Sequence, residues 1–107
     1  MSQSVCILGV TGSIGQSTLK ILQQHAECYS VFAVTAHSRM QELVDICQQF
    51  QPQIAVVPQA KVDELRQLLV AANLQSIEIL ADEAGLIAVA EHPEVDVVTA
   101  GLWVRQV

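Results

Sequence analysis

Residues 5–15 read Val-Cys-Ile-Leu-Gly-Val-Thr-Gly-Ser-Ile-Gly, an apolar run that leads directly into three spaced glycines. The run Val5–Leu8 predicts a buried strand, and residues 16–25 have the hydrophobic spacing of a helix. A strand that turns on glycines into a helix presents backbone N–H groups at the positive end of the helix dipole, which suits a pyrophosphate. This stretch therefore predicts a dinucleotide-binding domain.

The glycine spacing is G-x-x-G-x-x-G, with Gly9, Gly12 and Gly15, and differs from the G-x-G-x-x-G fingerprint. An ordinary turn before a helix is the alternative, because glycine triplets alone are weak signals. The position directly after an apolar strand favours the nucleotide interpretation. Ser13 adds to it, because serine suits the N-cap of the predicted helix.

Composition predicts one small α/β domain covering residues 1–107. The chain is 51% hydrophobic and only 4% aromatic, so its core must be aliphatic, as is typical of helices packed on a parallel sheet. A net charge of −6 argues against a nucleic-acid or anionic membrane partner. No apolar stretch approaches the roughly 18 residues that a membrane helix needs.

Cysteine usage favours a reducing cytoplasm. Cys6, Cys28 and Cys47 show neither metal-ligand nor C-x-x-C spacing, and two of them, Cys6 and Cys47, fall in predicted core positions. The short segment 1–4 leaves no room for a signal peptide before the first strand. We therefore expect a cytoplasmic protein.

Apolar strands and amphipathic helices alternate along the whole chain. The predicted strands cover residues 5–8, 31–36, 54–57, 77–80 and 95–98, and the predicted helices cover 16–25, 39–51, 61–72 and 82–91. Asp82 is the expected N-cap of the last helix. This order predicts a Rossmann-like, doubly wound parallel sheet of about five strands with helices on both faces.

The end of the second strand bears on the choice of cofactor. NAD-selective sheets place a carboxylate there for the ribose 2′-hydroxyl, whereas this chain has His37, Ser38 and Arg39 and no carboxylate before Glu42. An arginine fork and a hydroxyl suit a 2′-phosphate, which favours NADP(H). The alternative is that Ser38 caps the next helix and Arg39 is merely solvated.

The sequence predicts no catalytic residue and no metal site. His25 lies near a helix end, His37 lies at the adenosine end of the expected site, and His92 precedes a proline. No Ser/His/Asp set, Cys/His set or paired carboxylates stand out. The chain thus carries a cofactor site without a reaction site.

The stretch Leu8–Leu19 closely resembles the N-terminal signature of the 1-deoxy-D-xylulose 5-phosphate reductoisomerase family, and the resemblance continues through residues 32–37, 50–52 and 95–98. It implies an NADPH-dependent oxidoreductase that makes 2-C-methyl-D-erythritol 4-phosphate in non-mevalonate isoprenoid biosynthesis. It also implies a divalent Mg or Mn ion, whose ligands lie outside this sequence, and a homodimer when the enzyme is complete.

By this resemblance, the NADPH phosphates contact Thr11, Gly12, Ser13 and Ile14, within the turn that Gly9 and Gly15 bound. The segment of His37, Ser38 and Arg39 is the one that family members use for the adenosine 2′-phosphate. Selective NADPH binding without chemistry, as in a redox-sensing module, and a truncation without function are the alternatives to a piece of the enzyme.

The last seven residues depart from the family pattern. Family members continue with Ile-Val-Gly-Ala-Ala-Gly, whereas this chain has Gly101–Val107, Gly-Leu-Trp-Val-Arg-Gln-Val. The codons ATT-GTG-GGT-GCG-GCA-GGT, read out of frame behind GG, encode that tail. We therefore expect a frameshifted, truncated product that is inactive alone, and sequencing the gene beyond codon 100 tests this expectation.

Overall fold

A computed structural model describes residues 3–10, 12–100 and 103–106 of the chain. Strands and helices alternate in the order β1 (Gln3–Leu8), α1 (Ser13–Gln24), β2 (Tyr29–Thr35), α2 (Met40–Phe50), β3 (Ile54–Val57), α3 (Val62–Ala71), β4 (Glu78–Ala81), α4 (Asp82–Ala90), β5 (Val97–Ala100) and β6 (Trp103–Gln106). A short 3₁₀ turn, Gln59–Lys61, precedes α3. The predicted alternation of strand and helix is confirmed.

The strands form a single sheet in the order β4-β3-β2-β1-β5-β6. The first five strands are parallel, and β1 pairs with β2 on one side and with β5 on the other. The chain first moves outward from β1 to β4 and then returns to the opposite side of β1. Open α/β sheets bind ligands at such a reversal, beyond the carboxyl ends of the strands. The doubly wound fold is thus confirmed, and it defines one crevice for a site.

A sixth strand adds to the five that the sequence predicted. β6 pairs antiparallel with β5, with Ala100 opposite Trp103 and Val97 opposite Gln106. The sequence of β6 is too short to predict a strand, because it has four residues and the last two are charged and polar. β5 is therefore an interior strand of the sheet.

Both faces of the sheet are buried, as the continuous apolar runs predicted. Successive residues of β1 point to opposite faces: Val5 and Ile7 join the large cluster beneath α1, α2 and α3, whereas Cys6 joins a smaller cluster beneath α4. Phe32 and Val89 are further members of this second cluster. The core is aliphatic on both faces, with Phe32 as its main aromatic contribution.

Several element boundaries differ from the predicted ones. β5 begins at Val97 and not at residue 95, because Val95 N–H donates to the His92 carbonyl at 3.0 Å and Asp96 N–H donates to the Ser4 carbonyl at 2.8 Å. Asp96 also accepts a hydrogen bond from Ser4 N–H on its carboxylate, at 2.8 Å. These contacts fix the amino end of β5 beside that of β1 before the ladder starts.

The predicted helix caps at Ser13 and Asp82 are wrong. Gly12 is the N-cap of α1, and Ser13 is its first helical residue. Asp82 is the first residue of α4, and its carboxylate accepts a hydrogen bond from Gln59 N–H at 2.9 Å. The aspartate therefore joins the start of α4 to the 3₁₀ turn after β3. None of the helices in the described part of the chain has the length and apolar character that a membrane crossing requires.

Candidate nucleotide-binding site

The turn between β1 and α1 lies at the sheet's topological reversal, at the carboxyl end of β1. Gly9 adopts φ +69°, a left-handed conformation that favours glycine, and its carbonyl accepts a hydrogen bond from Gly12 N–H at 3.1 Å. The N-cap of α1 is Gly12, which has no side chain to cap the helix, and the first turn of the helix carries no acidic residue. The helix N-terminus thus keeps the positive end of its dipole directed at this crevice.

The first intrahelical bond of α1 runs from Gln16 N–H to the Gly12 carbonyl, at 3.0 Å. The amides of residues 13–15 precede it and have no acceptor within the helix. Such a row of N–H groups suits the oxygens of a phosphate. The predicted phosphate-binding residues therefore contribute backbone donors.

Gly15 sets how closely α1 approaches the strand end. A Cβ at this position would lie 2.5 Å from the Gly9 carbonyl oxygen and 2.8 Å from Val10 Cα. At Gly12 the closest atom to an added Cβ is 3.5 Å away, an ordinary contact. Gly15 is thus required by packing within the turn itself, and it brings the helix N-terminus against the end of β1.

Thr35, at the end of β2, holds the turn from the side. Its hydroxyl oxygen accepts a hydrogen bond from Gly9 N–H at 2.9 Å, and its carbonyl accepts one from Val10 N–H at 2.8 Å. The sequence analysis did not single out Thr35, since it reads as one more β-branched residue of a strand. A buried polar residue at the end of an apolar strand is the signal that points to it.

The segment His37–Arg39 begins two residues after Thr35 and is exposed. Ala36 N–H continues the ladder to the Val56 carbonyl at 3.0 Å, so the segment leaves the sheet only after that residue. The structure therefore brings the predicted adenosine segment next to the glycine turn, with Thr35 as the connection.

Arg39 occupies the position that the alternative interpretation gave to Ser38. It is the N-cap of α2, with φ 61° and ψ 56°, and no side chain caps this helix. Its guanidinium is 62% exposed and lies 3.8 Å from the Glu42 carboxylate. Exposed ion pairs at this distance are weak, so the guanidinium can exchange this partner for a phosphate.

Three predicted residues are described only in part or not at all. Thr11 lies outside the described residues, and so do the side chains of Ser13 and Ile14. Gly9, Gly12 and Gly15 form the turn as predicted.

The buried cysteines are structural. Burial raises the pKa of Cys6 to about 11 and that of Cys47 to about 12, which keeps both thiols protonated at neutral pH. Cys28 is exposed, and all three are free thiols. No group of three potential metal ligands occurs among the described residues.

A cleft of about 570 Å³ lies at the other end of the sheet. Ile54 and Glu78, which start β3 and β4, line it together with Phe32 and His92. The His92 ring lies 4.8 Å from that of Phe32, and its Nδ1 accepts a hydrogen bond from Glu94 N–H at 3.1 Å. These contacts hold the His92 ring in place beside Phe32.

Comparison with known proteins gives consistent matches over nearly the whole chain. The family model described as 1-deoxy-D-xylulose 5-phosphate reductoisomerase matches residues 5–104. Proteins of that name from Acinetobacter baylyi and Acinetobacter baumannii are 61% and 59% identical over 102 residues. Each alignment covers 95% of this chain and 26% of the relative, so the chain spans about a quarter of their length.

Solved structures give the same result. A DOX-P reductoisomerase in complex with magnesium matches with a TM-score of 0.87 and 39% identity, over 92% of this chain and 24% of that one. A DOX-P reductoisomerase in complex with NADPH, fosmidomycin and magnesium matches with a TM-score of 0.84 and 38% identity, over 90% and 23%.

Proposed function

The chain belongs to the 1-deoxy-D-xylulose 5-phosphate reductoisomerase family, and on that premise we propose that residues 1–107 form its NADPH-binding domain. The glycine turn carries this proposal: the N-terminus of α1, with Gly12 as its N-cap, lies at the sheet's reversal and is held against β1 by Gly15. The solved relative that contains NADPH supports the choice of ligand.

We assign the pyrophosphate to the turn and the first turn of α1, formed by Gly9, Thr11, Gly12, Ser13, Ile14 and Gly15. The amides of residues 13–15 are the donors, and the absence of a side chain at Gly12 lets a phosphate approach the backbone. Thr35 keeps the turn in this shape by accepting its two N–H groups.

We assign the adenosine 2′-phosphate to His37, Ser38 and Arg39. All three are exposed, follow the strand end that Thr35 connects to the turn, and lie at the start of α2. A dianionic phosphate gains charge-assisted hydrogen bonds from the guanidinium, whereas the unphosphorylated ribose of NADH does not. The segment is therefore proposed to select NADPH over NADH.

The complete enzyme is proposed to convert 1-deoxy-D-xylulose 5-phosphate into 2-C-methyl-D-erythritol 4-phosphate. NADPH supplies a hydride, and a divalent Mg or Mn ion polarises the substrate's carbonyl oxygen. This chain's share is to bind and orient the cofactor, and we propose that the chain alone does not turn over substrate. The magnesium-containing relatives support the metal for the whole protein.

We further propose a cytoplasmic location, a homodimer for the complete protein and no nucleic-acid partner. The three free cysteines support a reducing compartment. The net charge of −6 supports the absence of a polyanionic partner.

Titration calorimetry of the 107-residue chain with NADPH and with NADH tests the proposal. We expect saturable NADPH binding and much weaker NADH binding. Arg39→Ala should lower NADPH affinity about 10- to 100-fold and leave NADH binding unchanged, because only the 2′-phosphate contact is lost.

Arg66→Ala is the matched control for Arg39→Ala. The Arg66 guanidinium is also 62% exposed, and it also forms a weak ion pair within one helical turn, 3.7 Å from Asp63. It lies on α3, away from the glycine turn, so its loss should leave both affinities unchanged. A folded chain that binds neither nucleotide would overturn the proposed function.

A further inference from the structure

Arg39 and Glu42 form an exposed ion pair at the start of α2, where we assign the adenosine 2′-phosphate. The guanidinium Nη1 lies 3.8 Å from the Glu42 carboxylate, and the two side chains are 62% and 49% exposed. Arg39 is the N-cap of the helix and Glu42 belongs to its first turn, so the backbone keeps the two residues within reach of each other. A carboxylate therefore already contacts the cation that would meet the phosphate.

The start of α2 is anchored to the core. Leu43 N–H donates to the Arg39 carbonyl at 3.1 Å, and the side chains of Met40 and Leu43 are buried in the cluster beneath the helix. Arg39 itself has φ 61° and ψ 56°, a left-handed conformation that residues with a Cβ rarely adopt and that often occurs at ligand sites. The ion pair is thus presented from fixed backbone positions.

Glu42 opposes the phosphate that Arg39 attracts. A phosphate monoester carries a charge of about −2 at neutral pH, and the nearby carboxylate is also negative. Two anions that share one guanidinium repel each other, and the phosphate must also weaken the existing ion pair. The ribose of NADH has an uncharged hydroxyl at this position, so neither cost arises for NADH.

Resting on the proposed NADPH function, we propose that Glu42 is a specificity-determining residue that competes with the 2′-phosphate for Arg39. Its carboxylate lowers the affinity for NADPH and leaves the affinity for NADH unchanged. It therefore limits the preference for NADPH that Arg39 provides. Exposed ion pairs are weak, whereas hydrogen bonds between a guanidinium and a phosphate are strong, so the phosphate still displaces the carboxylate.

Glu42→Gln tests this proposal, because it removes the charge and keeps the size of the side chain. We expect NADPH affinity, measured by titration calorimetry at low salt, to rise about threefold, as the loss of a competing exposed ion pair allows. NADH affinity should stay the same. In an Arg39→Ala chain the same substitution should give a smaller gain, because the cation for which the two anions compete is absent.

Glu64→Gln is the matched control. Glu64 lies in the first turn of α3 and pairs with Lys61, the N-cap of that helix, at 3.6 Å. The control thus removes the same charge from the same kind of ion pair, at a helix that follows β3 and not β2. Both nucleotide affinities should stay at the native values.

The outcomes separate this assignment from the proposed function, and circular dichroism verifies that each variant is folded. Unchanged NADPH affinity in Glu42→Gln would overturn the role of Glu42 alone, and so would a lower affinity, which would show that the carboxylate orients the guanidinium for the phosphate. Equal gains in Glu42→Gln and Glu64→Gln would also overturn it, because net charge would then explain both. Failure of the native chain to bind NADPH would overturn the proposed function and this assignment together.

Discussion

The two faces of the sheet are packed in different ways. Helices α1, α2 and α3 cover one face, and the cluster beneath them includes fully buried Leu43, Leu65 and Leu69. In the described part of the chain, α4 is the helix that covers the other face, above a smaller cluster around Phe32 and Val89. The apolar core is therefore thicker on the α1 face than on the α4 face.

The outer surface of α4 exposes large apolar side chains. Leu86 and Ile87 are 40% and 50% exposed, although the helix buries Gly85 and Val89 toward the sheet. A helix that is apolar on all sides is typical of one buried between two layers. The matched relatives are about four times as long as this chain. The glycine turn that we propose for the nucleotide therefore lies at the start of α1, on the face that the described helices cover more fully.

Gly15→Ala gives the largest expected effect, on the α1 face. The added Cβ would lie 2.5 Å from the Gly9 carbonyl oxygen, and backbone atoms cannot move aside as side chains do. We expect a loss of about 3 kcal/mol in the free energy of unfolding, measured by urea denaturation, and no detectable NADPH binding.

Gly12→Ala is the control for Gly15→Ala within the same turn. Its Cβ would meet nothing closer than 3.5 Å, so the free energy of unfolding should change by less than about 0.5 kcal/mol. NADPH affinity should still fall, because a methyl group would hold the phosphate away from the backbone. Equal losses in the free energy of unfolding of Gly12→Ala and Gly15→Ala would contradict the assignment of Gly15 to packing and of Gly12 to nucleotide binding.

Alkaline pH tests both faces at once, since Cys47 lies in the α1-side cluster and Cys6 beneath α4. Below pH 9 both thiols are protonated in the folded and unfolded states, so their contribution to stability is complete. Above pH 9 the unfolded chain loses these protons while the folded pKa values of about 12 for Cys47 and 11 for Cys6 retain them, so stability falls. Each thiol should account for a loss of about 2 kcal/mol between pH 8 and 10.5.

Urea denaturation of Cys47→Ala and Cys6→Ala across this pH range separates the two contributions. In each variant the free energy of unfolding should fall less steeply with pH, because the contribution of the removed thiol is lost. The contribution of Cys47 should continue to increase up to about pH 12. If neither substitution alters the loss of stability with pH, water reaches both thiols at high pH, Cys47 on the α1 face and Cys6 on the α4 face.

Gly85→Ala gives the smallest expected effect, on the α4 face. Its Cβ would lie 2.9 Å from Val56 Cγ1 and from Leu80 Cβ, so the lightly covered helix α4 must move slightly away from the sheet to relieve these contacts. Overpacking is partly offset by the better helix propensity of alanine, which leaves a net loss of about 1 kcal/mol. NADPH affinity, measured by calorimetry, should stay unchanged, and a loss as large as that of Gly15→Ala would contradict the difference between the faces.

Local patterns were sufficient to predict the order of β1–β5 and of the four helices, and the position of the glycine turn, whereas β6 was missed. The caps were not predicted, because serine at 13 and 38 has the right chemistry while the turns place Gly12 and Arg39 at the N-cap positions. Backbone geometry outweighed side-chain preference at both sites.

The role of Thr35 could not be predicted from local sequence, because Thr35 meets Gly9 across 26 residues of chain and only because β2 pairs with β1. Such contacts are set by strand order, and hydrophobic periodicity does not contain that information.

Because β1 pairs with β5, this part of the sheet can form only late during synthesis on the ribosome. Ser4 and Asp96, which join the two strands at their amino ends, are 92 residues apart. While the nascent chain grows through β2, β3 and β4, one edge of β1 stays unpaired, and Val5–Leu8 is apolar on both sides. During this interval the unpaired apolar edge of β1 is accessible to a chaperone. The crevice that we propose for the nucleotide is completed only when Val97–Ala100 has emerged, so a nucleotide bound there cannot assist any earlier step of folding.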